Sequence, residues 1–168
     1  MITIRKAQPG DGDVVGEIHA VSWGVSRGPL CTPKVAAAGI EERRTKWGAI
    51  LAEEGQDTVL IAFLDDRPGA FARFGASSRP GLTEIHTFFA HPDVWGSGLS
   101  AALLAAIVDG ARNGVHLWTL RDSPQARRFY AKHGFGETGR RHDHDFGEGP
   151  PVALIELLRS EHPAYGAA

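Results

Sequence analysis

Apolar and polar residues alternate at the start of the chain, and Ile2, Ile4 and Ala7 predict a first strand from Ile2 to Ala7. Pro9-Gly10-Asp11 interrupts it, and Asp11 or Asp13 offers a cap for a helix carrying Val14, Ile18 and Val21 on one face. Ser26 to Pro33 reads as a loop. A second helix follows, turning Trp47, Ile50 and Leu51 inward and ending at Glu54-Gly55. Thr58 to Leu64 is a β-branched, apolar run and predicts a strand; Asp65-Asp66-Arg67 is a turn, and Gly69 to Ala76 returns as its hairpin partner. Leu82 to Ala90 predicts another strand, and His91 to Gly96 a loop.

From Gly98 the period changes. Leu103, Leu104, Ile107, Val108 and Ala111 recur at helical spacing, and Asn113-Gly114 supplies an αL stop. Val115 to Leu120 is the next strand. Ser123-Pro124 opens a helix as a capping hydroxyl followed by proline at the first helical position, and His133-Gly134 ends it. Phe135 to about Phe146 and Val152 to Leu158 form a final strand pair. The order is β-α-α-β-β-β-α-β-α-β-β, without repeat, linker or low-complexity segment. It predicts one domain over residues 1–168, an α/β fold with a mixed central sheet and helices on both faces.

Composition narrows the function classes. The 168 residues are 42% hydrophobic and 23% charged, enough apolar material for a sizeable core in a single domain. Lys and Arg number 18 against 20 Asp and Glu, so no basic excess predicts nucleic-acid binding. No apolar stretch approaches the roughly 20 residues needed to span a bilayer. The N-terminus shows no charged leader followed by an apolar run. Cys31 is the lone cysteine, which fits a reducing compartment, and the expected location is cytoplasmic.

The chemically informative stretch is Glu84-Ile85-His86-Thr87-Phe88-Phe89-Ala90 followed by His91-Pro92-Asp93-Val94-Trp95-Gly96-Ser97-Gly98-Leu99-Ser100-Ala101. A strand leads through a loop of small residues into a helix N-terminus. Glycines let backbone N–H groups approach an anion, and the helix dipole favours negative charge there. Gly96-Ser97-Gly98-Leu99-Ser100-Ala101 also fits the dinucleotide fingerprint G-x-G-x-x-G/A, with Asp122 near the end of the next strand. Two facts oppose that reading. His91 to Trp95 intervene between strand and glycines, and the earlier strands form a hairpin meander rather than a run of β-α-β units.

Glu84 to Leu104 resembles the acetyl-CoA motif of the GNAT superfamily of N-acetyltransferases, Q/R-x-x-G-x-G/A, here Trp95, Gly98 and Ser100. Ser123-Pro124-Gln125-Ala126-Arg127-Arg128-Phe129-Tyr130-Ala131-Lys132-His133-Gly134-Phe135 is similar to the family's N-x-x-A-x-x-x-Y-x-x-x-G-F. Ile4-Arg5-Lys6-Ala7 with Asp11, Ile18-His19 and Ser22-Trp23 resembles the opening of bacterial members. The order and spacing of the three matches span nearly the whole chain. Three positions depart from the pattern. Trp95 replaces Gln or Arg, which leaves phosphate to the backbone; Ser100 replaces Gly or Ala; Ser123 replaces Asn and is equally a helix cap.

The resemblance implies a mostly antiparallel sheet and acetyl-CoA as cosubstrate. The implied contacts are Phe88, Phe89 and Ala90 on the strand, Trp95, Gly96, Ser97, Gly98, Leu99 and Ser100 in the loop, and Ser123 and Ala126 on the next helix. It implies direct attack of a primary amine on the thioester, with no metal. A homodimer is compatible with it. A backbone N–H at Phe88 to Ala90, splayed by a bulge, would face the oxyanion, and the pantetheine amides would extend the strand. A non-catalytic acyl-CoA-binding regulatory domain on the same fold is the competing function.

Such a reaction needs an acid for the thiolate and a base for the ammonium. Tyr130 matches the family tyrosine and is the candidate acid; its spacing also suits an amphipathic core residue. Glu84 is the first candidate base and His86 the second, since alternate strand residues share a face. His19, Trp23, Arg27 and Trp47 are candidates for the acceptor pocket, with the spacing of Trp47 favouring the core. His142-Asp143-His144-Asp145 offers two imidazoles on one strand face but no third clear metal ligand.

Overall fold

The computed structural model describes residues 1–53, 55–145 and 150–160. Seven strands form one sheet: β1 Ile2–Lys6, β2 Thr58–Leu64, β3 Arg67–Ala76, β4 Thr83–Ala90, β5 Val115–Leu120, β6 Gly136–His144 and β7 Val152–Arg159. Their spatial order is β1-β2-β3-β4-β5-β7-β6, antiparallel except for β4 with β5. Among the described residues five α-helices accompany it: α1 Gly12–Ser26, α2 Pro33–Thr45, α3 Trp47–Ala52, α4 Leu99–Gly110 and α5 Pro124–Lys132, with α2 packed on α1 rather than on the sheet. The expected α/β class, with a mixed, mostly antiparallel sheet, holds.

Two cores form on opposite faces of the sheet. On one, Leu99, Leu103, Leu104 and Ile107 of α4 recur along one stripe and pack with Ala72, Ile85, Leu117, Tyr130 and Ile155. On the other, Val15 and Ile18 of α1 meet Trp47 of α3 and Ile61 and Phe71 of the sheet. Trp47 is 1% exposed, so the periodicity that favoured core over pocket is correct. Gly16 lets α2 lie close on α1, because a Cβ there would collide with the Arg44 carbonyl.

Several local expectations shift. The predicted second helix is two helices, α2 and α3, separated at Lys46. Thr32 caps α2 by accepting from the Val35 N–H, with Pro33 at the first helical position. Asp11 precedes α1 but makes no side-chain cap; its carboxylate takes both terminal nitrogens of Arg5 at 2.7 and 2.9 Å and the Gln8 N–H. A charged bidentate pair outcompetes a single neutral N–H. The helix after the glycine loop stops at Gly110, where its buried stripe ends, and Gly114 at φ +118° turns the chain into β5. Asp65 and Asp66 both have positive φ, as a tight two-residue hairpin turn requires. The helix end assigned to Glu54 and the strand end assigned to Phe146 lie outside the described residues. No helix among the described residues is long and apolar enough to cross a membrane.

Candidate active site

The parallel pairing of β4 with β5 covers only Thr83 to Ile85 against Val115 to Leu117. Beyond it the strands part, and a groove of about 950 Å³ opens between the remainder of β4, the remainder of β5, the glycine loop, α5 and the end of α1. On its other edge β4 stays paired with β3, Phe71 opposite Phe89 and Ala72 opposite Phe88. The His91 N–H donates to Gly69 O of β3 at 2.7 Å. By strand alternation the Phe89 peptide groups also face β3, and those of Phe88 and Ala90 face the opening. An irregularity lies between Arg73 and Phe74 of β3, where Thr87 and Ile85 are the partners and His86 is the extra residue. The bulge thus sits at His86, before the Phe88 to Ala90 segment where it was expected. Fitting Ile85 into one core and Phe89 into the other fixes that register.

The glycine loop closes one end of the groove. Gly96 and Gly98 have φ of +78° and +86°, and a Cβ at either would meet nothing within 4 Å. Among the described residues the N–H groups of Gly96, Gly98, Ser100 and Ala101 have no protein acceptor. Ser97 has a structural role, its hydroxyl donating to Val94 O at 2.6 Å and accepting from the Leu99 N–H at 3.3 Å. Leu99 is fully buried beneath the loop. The Trp95 indole N–H donates to Ala90 O at 3.0 Å, tying the loop to the end of β4. Unpaired N–H groups at a helix N-terminus, with open space before them, suit a phosphate.

Across the groove, Ser123 caps α5, its hydroxyl accepting from the Ala126 N–H at 3.4 Å, so the cap reading of this departure is correct. Two α-helical turns after that cap, α5 turns Tyr130 inward against Phe88, with ring centroids 6.2 Å apart. Tyr130 is 7% exposed yet lines the groove. Burial pushes its hydroxyl above the ordinary phenol pKa, with the Arg27 charge pulling the other way. The phenol therefore holds its proton.

Glu84 and His86 share a face, Glu84 Oε1 standing 3.8 Å from His86 Nδ1. They differ in access. His86 lines the groove; the Glu84 carboxylate is turned toward Ser77 Oγ at 3.5 Å and His116 Nε2 at 3.6 Å. The sequence reading missed the groups around them. Asp57 pairs with Arg73 at 2.9 Å and stands 3.7 Å from His86 Nε2. Behind Glu84, buried His116 bonds Ser77 Oγ at 2.6 Å and lies 2.9 Å from Glu156 Oε1, off the line of a hydrogen bond. Burial works to raise the Glu156 pKa, but hydrogen bonds from Thr138 and Arg79 hold it below the ordinary value. The available signal was a charge at a core position of an apolar run, Glu156 in Val152 to Leu158 and Arg73 in Phe71 to Phe74.

The α1 wall faces Phe89. His19 is 4% exposed, its ring 4.7 Å from that of Phe89, and its Nδ1 accepts from the Trp47 indole N–H at 2.9 Å. Burial, with the charges of Lys46, Arg43 and Arg27, pushes the His19 pKa down to about 3. Trp23 is buried under the Arg43 guanidinium, which lies 4.0 Å above its ring. Of the four acceptor-pocket candidates, only Arg27 lines the groove. His142 packs edge-on to Trp118, centroids 4.8 Å apart, and no group of three possible metal ligands occurs among the described residues.

The acetyltransferase (GNAT) family model matches residues 27–135, which include β4, the glycine loop and α5. The chain belongs to that family. An uncharacterized N-acetyltransferase of Archaeoglobus fulgidus is 32% identical over 95 residues, covering 51% of this chain and 63% of that protein. The match thus spans less than two thirds of that relative. The PaiA N-acetyltransferase of Thermoplasma acidophilum, solved in complex with coenzyme A, superposes with a TM-score of 0.72 at 20% identity, covering 95% of this chain and 99% of that one. A GNAT-family acetyltransferase from Streptococcus pneumoniae gives 0.67 at 20% identity, with 95% and 99% covered. At these identities the two structures establish the shared fold.

Proposed function

We propose that this protein is an acetyl-CoA-dependent N-acetyltransferase acting on a primary amine. The observation that carries the reading is the opening between β4 and β5, with the Phe88 peptide groups and the Ala90 N–H turned toward it on one side and the unpaired N–H groups of Gly96, Gly98, Ser100 and Ala101 at its end. A linear molecule with amides and a pyrophosphate fits that pairing of features. The Thermoplasma relative binds coenzyme A. We place the reaction in the cytoplasm, in keeping with the lone cysteine.

Acetyl-CoA supplies the acetyl thioester. The N–H groups of Gly98, Ser100 and Ala101 receive the pyrophosphate, and Phe88 and Ala90 pair with the pantetheine amides and polarise the carbonyl. Tyr130, a neutral phenol against Phe88, gives its proton to the departing sulfur. On the opposite face His86 takes the proton from the incoming ammonium through water, with Glu84 and Asp57 as its ionic neighbours. His86 thus moves ahead of Glu84 as the base, because it is the one that reaches the groove.

Thermal-shift titration with acetyl-CoA, CoA and NAD(P), followed by thiol release with a panel of amines, tests the reading. Stabilisation by acetyl-CoA and CoA together with amine-dependent thiol release is expected. Stabilisation by NAD(P) alone would refute the ligand assignment. Stabilisation by acetyl-CoA without turnover of any amine would make the protein an acyl-CoA-binding regulatory domain.

A further inference from the structure

Arg27 is a cation facing the groove, and among the described residues no carboxylate pairs with it. It ends α1, where its own N–H is bound by Trp23 O at 2.7 Å. Its side chain is half-buried, and the guanidinium carbon lies 5.9 Å from the Phe89 ring centroid, at the strand segment where the thioester carbonyl would sit. Five N–H donors project from a guanidinium, and among the described residues none of those of Arg27 has an acceptor or a carboxylate within ion-pair distance. Burial disfavours its charged form, Tyr130 works the other way, and the Arg43 guanidinium adds a smaller repulsion. The Arg27 donors are thus placed to be taken by an anionic group of a ligand in the groove.

The surroundings narrow the ligand. Val25 and Leu30, on either side of Arg27 in the chain, also line the groove and are 49% and 43% exposed, apolar surface at its mouth. His86 lies three residues back along β4 from Phe89, on the order of 10 Å by strand rise. The site therefore offers a cation beside the reacting carbonyl, a proton acceptor a short way along the same strand, and an apolar rim. We propose that the acceptor is an α-amino acid with an apolar side chain, its carboxylate held by Arg27, its nitrogen on the Phe89 side of the opening and its side chain against Val25 and Leu30. This rests on the acetyltransferase reading above. Bidentate pairing of guanidinium with carboxylate fixes both position and orientation of the neighbouring amine.

Matched triplets test it: leucine, leucinamide and 3-methylbutylamine; phenylalanine, phenylalaninamide and 2-phenylethylamine. Thiol release should favour at least one acid over its amide and its decarboxylated amine by roughly tenfold or more in kcat/KM, the value of one charged hydrogen-bonded contact. Arg27→Gln should collapse that preference toward one, mainly through KM for the acid, and Arg27→Lys should keep part of it. Calorimetry of the acid onto the CoA-loaded protein gives a readout independent of turnover. Binding there should weaken in Arg27→Gln while CoA affinity and the melting temperature stay at the wild-type values. Equal use of acid and amide, or a loss in Arg27→Gln confined to acetyl-CoA affinity, would overturn the inference while leaving the transferase reading in place. Failure of every amine in both triplets and in the wider panel would overturn both.

Discussion

Acidification should loosen the wall that faces Phe89, and the size of the effect follows from His19. Its folded pKa is about 3 against an ordinary value of 6.5, because burial and three nearby cations disfavour the imidazolium. A group whose folded pKa is depressed stabilises the fold above the unfolded value and loses that contribution as pH falls toward the folded one. The window here runs from 6.5 down to about 3. At pH 4.5 the unfolded chain is favoured by the cost of about two pH units of proton binding, about 3 kcal/mol. For a domain of this size that is a fall in Tm of roughly 5–10 °C. The carboxylates held below their ordinary pKa, Asp11, Asp65, Asp122 and Glu156, lose their contribution mainly below about pH 4.5, so the His19 contribution is read in the interval from pH 7.5 to 4.5 as the difference between wild type and a His19 variant. Urea unfolding across that interval measures the slope directly. His19→Asn keeps an acceptor near the position of Nδ1 for the Trp47 N–H and removes the titration. The variant is expected to be less stable at neutral pH through lost packing, and nearly flat between pH 7.5 and 4.5. A wild-type slope that persists unchanged in His19→Asn would refute the assignment of the proton to this ring.

Four further outcomes are expected. Tyr130→Phe removes a hydroxyl and keeps the contacts with Phe88, Phe129 and Phe135, so acetyl-CoA affinity should hold while single-turnover rate falls roughly 10²-fold; an unchanged single-turnover rate would remove Tyr130 as the acid. His86→Gln should lower turnover at neutral pH and lose less at high pH, where free amine is abundant, and an unchanged pH–rate profile would exclude it as base. Glu84→Gln should give the same pattern in weaker form, because its carboxylate faces Ser77 and His116 rather than the groove; a larger loss than His86→Gln would restore Glu84 as the primary base. Gly98→Asp places a negative charge among the free N–H groups at an αL position that Asp tolerates, so the protein should fold and bind CoA roughly tenfold or more weakly by calorimetry.

What the sequence determined is what local physics encodes. The α4 stripe follows from a 3.6-residue period, the α5 start from Ser123-Pro124, and the anion-ready loop from glycines at positive φ next to a helix N-terminus. Each is set by residues a turn or two apart, so each was legible before any contact between distant segments was known. The tertiary structure decided the rest. The bulge at His86 comes from matching β4 to β3 while seating Ile85 and Phe89 in opposite cores, a constraint spread over both faces of the sheet. The parting of β4 from β5 after Ile85 depends on strands separated by α4, and no periodicity within either strand announces it. Access to the groove divided His86 from Glu84 and chose Arg27 over His19, Trp23 and Trp47, because exposure of a side chain depends on what the rest of the chain lays over it. Glu156 and His116 share the same origin: two polar side chains from distant strands, each unexplained in its own apolar run, become neighbours only when β5 and β7 pair.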